Sequence, residues 1–148
     1  MGLRPDGGVW TIAVEARDSG RRTSHSILAL EDAVVATSGD CRHMVEVQGR
    51  RLSHTMDPRR FAPLIASPAS VTVVARTCAE ADAWVADLMV PGHDKGTTFA
   101  RRSGLDALFL LGDDDASTPS VGVGGLLTDE PGAIASAEGD GPHGDDTD

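Results

Sequence analysis

The sequence predicts an α+β protein with a mostly antiparallel sheet and two packed helices. Three observations lead to this fold class. Apolar and polar residues alternate through Val9–Glu15, as in a half-buried strand. The β-branched segment Val71–Ala75 is also typical of a strand. A capped apolar segment of helical length then begins at Cys78. With 148 residues, the chain can form one domain with a modest core.

The first half of the chain alternates strand signals with turns. The turn Pro5-Asp6-Gly7-Gly8 precedes the first strand, and the polar residues 17–24 follow it. Residues 56–68, with three prolines, are expected to be irregular. The predicted strands between these points are Ser26–Leu30, Ala33–Thr37 and a hairpin of Arg42–Val47 with Arg51–His54 around Gln48-Gly49-Arg50.

Two helices and a buried strand are predicted in the second half. Thr77 is a suitable N-cap for a helix over Cys78–Val90, and Glu80 completes a capping-box pattern. Pro91-Gly92 ends that helix, and Gly104 ends a second one over His93–Ser103. The leucine-rich segment Leu105–Leu111 is expected to form the last buried strand.

Charge divides the chain into a predicted domain, residues 1–112, and a predicted acidic tail, residues 113–148. The first part holds all 13 Lys and Arg and 13 acidic residues, whereas the second holds ten acidic residues and no base. The tail has only scattered aliphatic residues, so we predict that it is disordered, with a weak strand around Val121–Leu127 as an alternative.

Composition excludes several classes of protein. A formally neutral body with an acidic tail lacks the basic face that nucleic-acid binding requires. Cys41 and Cys78 are too few and too far apart for a disulfide framework or a zinc site, and we expect two reduced thiols. We find neither a membrane segment nor a signal sequence, and we expect a cytoplasmic location.

Two short motifs carry candidate chemistry. Thr37-Ser38-Gly39-Asp40 lies where a strand gives way to a turn, and small hydroxyl residues beside Gly suit the close approach of a phosphate or ribose. His54-Thr55-Met56-Asp57-Pro58-Arg59 joins a candidate general base to a carboxylate that would fix its tautomer. Each also has an ordinary interpretation, namely a turn that caps a strand and a surface His beside an Asp-Pro turn.

The order of these motifs, followed by Ala81-Asp82-Ala83, resembles the C-terminal half of the FAD:protein FMN transferases, the ApbE-like family. The resemblance covers about residues 2–111. It implies transfer of FMN from FAD to a threonine hydroxyl of an acceptor flavoprotein, with release of AMP and a requirement for Mg²⁺. By this resemblance His54 is the catalytic residue, Thr37, Ser38, Gly39 and Asp57 contact the flavin cofactor substrate, and Asp82 ligates the metal.

The chain departs from the family pattern at four positions. The family has an aromatic residue where this chain has Cys41, and it has Thr-Gly where this chain has Arg60-Phe61, which predicts a reshaped loop. The second metal ligand of the family is a Thr four residues after the Asp, where this chain has Ala86. Asp87 projects about 100° further round the helix and is a poor substitute. Weaker cation binding is therefore expected, while Asp82 also fits a plain solvent-facing position.

Full-length members of the family are about twice as long as this chain. We therefore expect that an N-terminal half, or a partner polypeptide, supplies the rest of the FAD pocket. Together with Ala86 and Phe61, this length favours an alternative function, in which the chain is a non-catalytic remnant that binds flavin weakly or acts as an interaction module.

Overall fold

The computed structural model of the protein describes residues 4–15, 24–39, 45–64, 68–111, 120–124 and 134–136. It confirms the predicted α+β architecture, with mostly antiparallel strands and two helices. In chain order the elements are β1 (Trp10–Glu15), β2 (Ser24–Glu31), β3 (Val34–Gly39), β4 (Val45–Val47), β5 (Arg50–Leu52), β6 (Met56–Asp57), β7 (Ala62–Pro63), β8 (Ser70–Ala75), α1 (Cys78–Met89), α2 (Gly92–Arg102), β9 (Asp106–Leu110), β10 (Ser120–Val123) and β11 (Ile134–Ser136).

These elements form three layers, with two sheets and one layer of helices. One sheet has the strand order β1-β2-β11, and the other has the order β10-β9-β8-β3, in which every neighbouring pair is antiparallel. The second sheet is the middle layer, because apolar side chains cover both of its faces. Successive side chains of a strand point to opposite faces, so the apolar residues of β8 contribute to both faces of this sheet.

Two hydrophobic cores lie on the two faces of the middle sheet. The inter-sheet core packs this sheet against β1 and β2, and its buried members are Val14, Leu28, Leu30, Ala33, Ala69, Val74, Leu108 and Leu110. The helix-side core packs it against α1 and α2, and its buried members are Val71, Val73, Val85, Leu88, Met89, Ala100, Ala107, Phe109 and Val123. Burial of these side chains is the main force that holds the layers together.

The first helix begins where the capping pattern predicts. Thr77 has extended backbone angles, and its hydroxyl accepts a hydrogen bond from the Glu80 amide at 3.2 Å. The second helix packs close to the first because Gly96 has no side chain. A Cβ at Gly96 would lie 2.9 Å from Cε1 of Phe109 and 3.0 Å from the carbonyl oxygen of Leu88. Gly96 therefore sets the distance between α2, α1 and β9.

Two strand pairs extend from the layers as hairpins. Strands β4 and β5 confirm the hairpin predicted around residues 48–50, with Gln48 and Gly49 both at positive φ. Two such residues in succession form the turn whose twist suits a tight hairpin. Strands β6 and β7 form a second hairpin within residues 56–68, where the sequence predicts irregular chain. The proline count is misleading there, because Pro58 lies in the connection and Pro63 in a two-residue strand.

Part of the predicted tail contains strands. Within residues 113–148, β10 pairs with β9 and overlaps the alternative of a weak strand around Val121–Leu127, and β11 pairs with β2 in parallel. The prediction of disorder does not hold for these two segments. Val123 is buried in the helix-side core, which explains the pairing of β10. The rest of the range lies outside the described residues, and the division of the chain at residue 112 stays a prediction. In the part of the chain that the structure describes, no helix is long and apolar enough to span a membrane.

Candidate functional site

The first predicted motif lies at the end of edge strand β3. Thr37, Ser38 and Gly39 pair with Thr72, Val71 and Ser70 of β8. Alternation places Thr37 on the face of the inter-sheet core and Ser38 on the face of the helices, because Val35 packs in the first core and Ala36 in the second. The two hydroxyl side chains therefore project from opposite faces of the strand.

Thr37 has a specific partner in the neighbouring strand. Its hydroxyl lies 2.9 Å from the hydroxyl of Thr72, which is fully buried, whereas Thr37 itself is exposed. Since a hydroxyl has one donor and two acceptor sites, this bond leaves Thr37 capacity for a further partner. Sequence reasoning missed Thr72 and the buried Ser70 as neighbours of the motif. The feature of the sequence that indicates these two residues is the alternation of small hydroxyl residues with valines along β8.

The packing of β3 against β8 requires glycine at position 39, independently of the predicted contact of Gly39 with a nucleotide. A Cβ at this position would lie 2.9 Å from the Cβ of Ser70 and 3.0 Å from the carbonyl oxygen of Ala69. Only glycine therefore allows β3 to approach β8 this closely at its end. The predicted motif residues Asp40 and Cys41 lie outside the described residues.

The second predicted motif begins just before the 55–64 hairpin, which comprises β6, β7 and their flanking residues. His54 is exposed, and it follows the buried Ser53 and precedes the half-buried Thr55. The Ser53 hydroxyl accepts a hydrogen bond from the Thr55 amide at 2.9 Å. The Leu64 amide donates to the Thr55 carbonyl at 3.0 Å, which closes the hairpin. The backbone on the C-terminal side of His54 is thereby held on a fixed support.

Asp57 organises the turn of this hairpin. Its Oδ1 accepts a hydrogen bond from the Arg59 amide at 2.9 Å. Its carbonyl oxygen accepts bonds from the amides of Arg60, at 3.2 Å, and Phe61, at 2.9 Å. A carboxylate that bonds an amide two residues ahead is a common way to initiate a turn. The contacts of Asp57 therefore give it a local structural task, while its predicted contact with the flavin stays a prediction.

Phe61 adopts a backbone conformation that favours glycine. Its φ is +50°, in the left-handed region, and its side chain is 87% exposed. In the family that the sequence resembles, this position is usually Gly. The left-handed backbone that glycine adopts most easily thus occurs here with a phenylalanine, and the turn does not need a glycine to form.

The helix-side core connects the three predicted motifs. Leu64, at the end of the 55–64 hairpin, packs against it, as do Ala36 of β3 and Trp84 of α1. Because Leu64 is bonded to Thr55, the His54 segment is attached to the same core as the strand and the helix that carry the other two motifs. The shared core is the structural link between them.

The third predicted motif lies on the exposed side of α1. Ala81 and Val85 are buried, whereas Asp82 and Ala86, one turn apart, are exposed on a common face. Gly96 lies close to both Leu88, in the last turn of α1, and Phe109, in β9, so this end of α1 is near Phe109. Phe109 in turn is paired with Val71 of β8. Asp82 is about 9 Å further along the helix axis from Leu88. Ser38, the other partner of Val71, lies on the edge strand of the same sheet.

These residues do not form a complete cation site. Ala86 has no donor atom, and Asp87, also exposed, follows on another side of the helix. Among the described residues, no group of three His, Cys, Asp or Glu side chains is arranged to hold a metal ion. Asp82 is one carboxylate, so the residues that are present do not fit a protein-ligated Mg²⁺.

Comparison with known proteins agrees with the order of the motifs. The model of the ApbE family matches residues 1–109. The FAD:protein FMN transferase of Escherichia coli K12 is 33% identical over 115 residues, which are 78% of this chain and 33% of that protein. The enzyme of the same name from Vibrio cholerae is 36% identical over 114 residues, 77% of this chain and 34% of that protein.

Solved structures show the same relationship. The apo form of the flavinyl transferase ApbE from Pseudomonas stutzeri has a TM-score of 0.66 and 37% identity, covering 82% of this chain and 37% of that one. The flavin transferase ApbE from Vibrio cholerae has a TM-score of 0.67 and 32% identity, covering 82% of this chain and 38% of that one. The chain spans about a third of the length of the curated relatives that it matches. Sequence, fold and motif order together show that this chain belongs to the ApbE family.

Proposed function

We propose that this chain contributes to an FAD:protein FMN transferase, which moves FMN from FAD to a threonine hydroxyl of an acceptor flavoprotein and releases AMP. One observation carries the proposal. The match to the ApbE family extends over residues 1–109 and includes His54 on its supported segment, and relatives over this range are named for that activity. Because the chain spans only about a third of those relatives, the remaining part of the site would come from a further segment or a partner polypeptide.

The reaction is a substitution at phosphorus. The acceptor hydroxyl oxygen forms a bond to the phosphorus next to riboflavin, and the bond from that phosphorus to the bridging oxygen breaks. AMP leaves with the bridging oxygen, and the proton of the hydroxyl passes to the imidazole of His54. The exposure of His54 supports this role, since a macromolecular acceptor must reach the base directly.

Thr37, Ser38 and Gly39 would contact the nucleotide at the end of β3. Thr37 is exposed and its hydroxyl is already oriented by Thr72, which favours a preorganised contact. Ser38 projects to the other face, so the two would contact different parts of the ligand. We propose that Asp57 acts mainly by holding the turn after His54, through its bond to the Arg59 amide.

The proposed requirement for Mg²⁺ depends on Asp82 alone within this chain. A hard cation can fill its other positions with water or substrate oxygens, but one exposed carboxylate is a weak site. The transfer described above therefore includes no step that passes through the cation. A cytoplasmic location stays a prediction.

The test is covalent transfer of flavin by the complete enzyme, that is, by this chain together with the further segment or partner polypeptide that supplies the rest of the site. The enzyme is incubated with FAD and an acceptor protein that has one threonine in an exposed segment, and flavin fluorescence on the denatured acceptor is measured together with released AMP. His54→Gln should abolish both signals. His93→Gln is the matched control, because His93 is an exposed histidine on α2.

Two outcomes would contradict the proposal. Saturable binding of FAD without transfer to any acceptor would favour the non-catalytic binder. Equal activity of the His54→Gln and His93→Gln variants would remove His54 from the chemistry.

A further inference from the structure

The tip of the 55–64 hairpin presents a side chain that the fold of this chain does not use. Phe61 is the most exposed of the large apolar residues that the structure describes, at 87%, and Met56 of the same hairpin is 51% exposed. An exposed apolar side chain alone is ordinary. This one also has a left-handed backbone, which is unfavourable for every residue with a Cβ and easy for glycine. Neither packing nor local conformation accounts for a phenylalanine here.

The tip is held in one conformation by its own hydrogen bonds. Asp57 accepts bonds from the amides of Arg59, Arg60 and Phe61, so the three residues that end the turn are tied to a single residue. At the other end, Leu64 is bonded to Thr55 and packed against the helix-side core. A strained, exposed residue on a fixed support is a reason to suspect a binding role, because a preorganised contact loses little entropy when it forms.

Charge indicates the chemistry of the partner. Arg59 and Arg60 are both exposed beside Phe61, so the tip combines one aromatic ring with two guanidinium groups. Arginine and the aromatic residues, phenylalanine among them, are enriched in protein interfaces. A partner segment with an acidic residue next to an apolar one would complement this tip.

The position of the tip relates it to the candidate base. Asp57 is three residues from His54, so their Cα atoms lie at most about 10 Å apart. A chain bound at the tip would therefore pass within a few residues of His54. We infer that Arg59, Arg60 and Phe61 dock the acceptor protein through an acidic and apolar segment close to its target hydroxyl. This inference rests on the proposed function, since it names the partner of the same site.

The test measures peptide binding without the transfer reaction. The probes are short fluorescent peptides with one Thr, flanked by Asp-Asp-Leu, by Lys-Lys-Leu or by Asp-Asp-Ser, and binding to the full chain is followed by anisotropy. The Asp-Asp-Leu peptide should bind about tenfold tighter than each of the other two. Phe61→Gly, and the double variant Arg59→Gln with Arg60→Gln, should each weaken it about tenfold.

Matched controls separate docking from general effects. Arg101→Gln with Arg102→Gln removes two exposed arginines from the end of α2, and Phe99→Leu changes another exposed ring. Both should leave peptide binding unchanged. Phe61→Gly relieves the unfavourable φ, so the variant should fold at least as well as the original chain, and loss of binding cannot be attributed to unfolding.

Separate measurements distinguish the failure of this inference from that of the proposed function. Titration of FAD by flavin fluorescence should give the same affinity for the original chain and for Phe61→Gly. If Phe61→Gly weakens the binding of FAD and leaves the binding of the peptide unchanged, the tip contacts flavin and the docking inference is overturned. If Phe61→Gly converts a dimer to a monomer in sedimentation, the tip binds a second copy, which also overturns it. Peptide selectivity that is lost in Phe61→Gly would support docking even if no transfer occurs.

Discussion

The hydroxyls of Thr37 and Thr72 lie 2.9 Å apart across strands β3 and β8, and the two residues differ completely in exposure. Thr72 is fully buried, whereas Thr37 faces solvent. The buried hydroxyl of Thr72 therefore has its hydrogen-bond partner in a residue at the surface. It also means that Thr37, a predicted contact of the flavin, contributes to the stability of the sheet before any ligand binds.

Valine substitutions at these two positions should have unequal effects. Thr37→Val leaves the buried Thr72 hydroxyl without its partner and should lower the free energy of unfolding by about 1–3 kcal/mol. Thr72→Val leaves Thr37 free to bond water, so the loss should be below about 1 kcal/mol. The double variant should recover most of the stability lost in Thr37→Val. Urea unfolding measures all three, and a larger loss for Thr72→Val than for Thr37→Val would show that the buried hydroxyl does not depend on its surface partner.

Replacement of Phe61 by glycine should stabilise the chain. Glycine adopts a φ of +50° without the steric cost that a Cβ brings, and the exposed ring contributes little packing. We expect a gain of about 1 kcal/mol in thermal or urea unfolding. Gly104→Ala is the converse control, since Gly104 has a φ of +64° and no atom near its Cβ position. That variant should lose a similar amount, and a stabilising Gly104→Ala would refute the argument from φ.

Gly39→Ala should destabilise the chain in the absence of any flavin. The new Cβ would lie 2.9 Å from the Cβ of Ser70, and two strand backbones must separate to accept it. We expect a loss of about 1–3 kcal/mol, from overpacking. Ala86→Gly, at an exposed helix position, is a control for a change of one methyl group and should cost about 1 kcal/mol. If Gly39→Ala has normal stability but binds FAD more weakly, Gly39 is needed for the ligand and not for the packing of the strands.

Ala86→Thr should strengthen cation binding by the chain. The new hydroxyl would be on the same exposed helix face as Asp82, one turn away, which adds a second oxygen ligand. Titration calorimetry with Mg²⁺ should show an affinity increase of about tenfold. Ala83→Thr is the matched control, because Ala83 is exposed on the same helix but projects elsewhere. Equal effects of the two variants on the affinity for Mg²⁺ would show that Asp82 does not take part in cation binding.

The sequence predicts local features better than long-range ones. The cap at Thr77 and the turn at Gln48-Gly49 depend on residues within a few positions, and both are found where the local pattern places them. The bonds of Asp57 are equally local, yet the hairpin they support was missed because prolines on both sides concealed it. The parallel pairing of β11 with β2 joins residues about a hundred positions apart, and no local pattern indicates such a partner.

The candidate site shows the same limit. The alternation of Val35, Ala36 and Thr37 along a strand implies that Thr37 and Ser38 face opposite ways, but the sequence does not tell which layer covers each face. The partner Thr72 could not be predicted because it depends on the register of β3 with β8. The position of Asp82 on an exposed helix face follows from spacing alone, whereas its distance from Ser38 depends on how α1 packs across the sheet.

The attachment of the 55–64 hairpin has a consequence for the motions of the candidate base. The hairpin has two short strands and is joined to the helix-side core through the side chain of Leu64. Such a unit can open while the sheet remains folded, at a free energy below that of global unfolding. The Leu64 amide, bonded to Thr55, should therefore exchange its hydrogen with solvent faster than the amides of β8. The hairpin, with the bonds of its turn intact, would then move as one unit, while β3 and α1 keep their places.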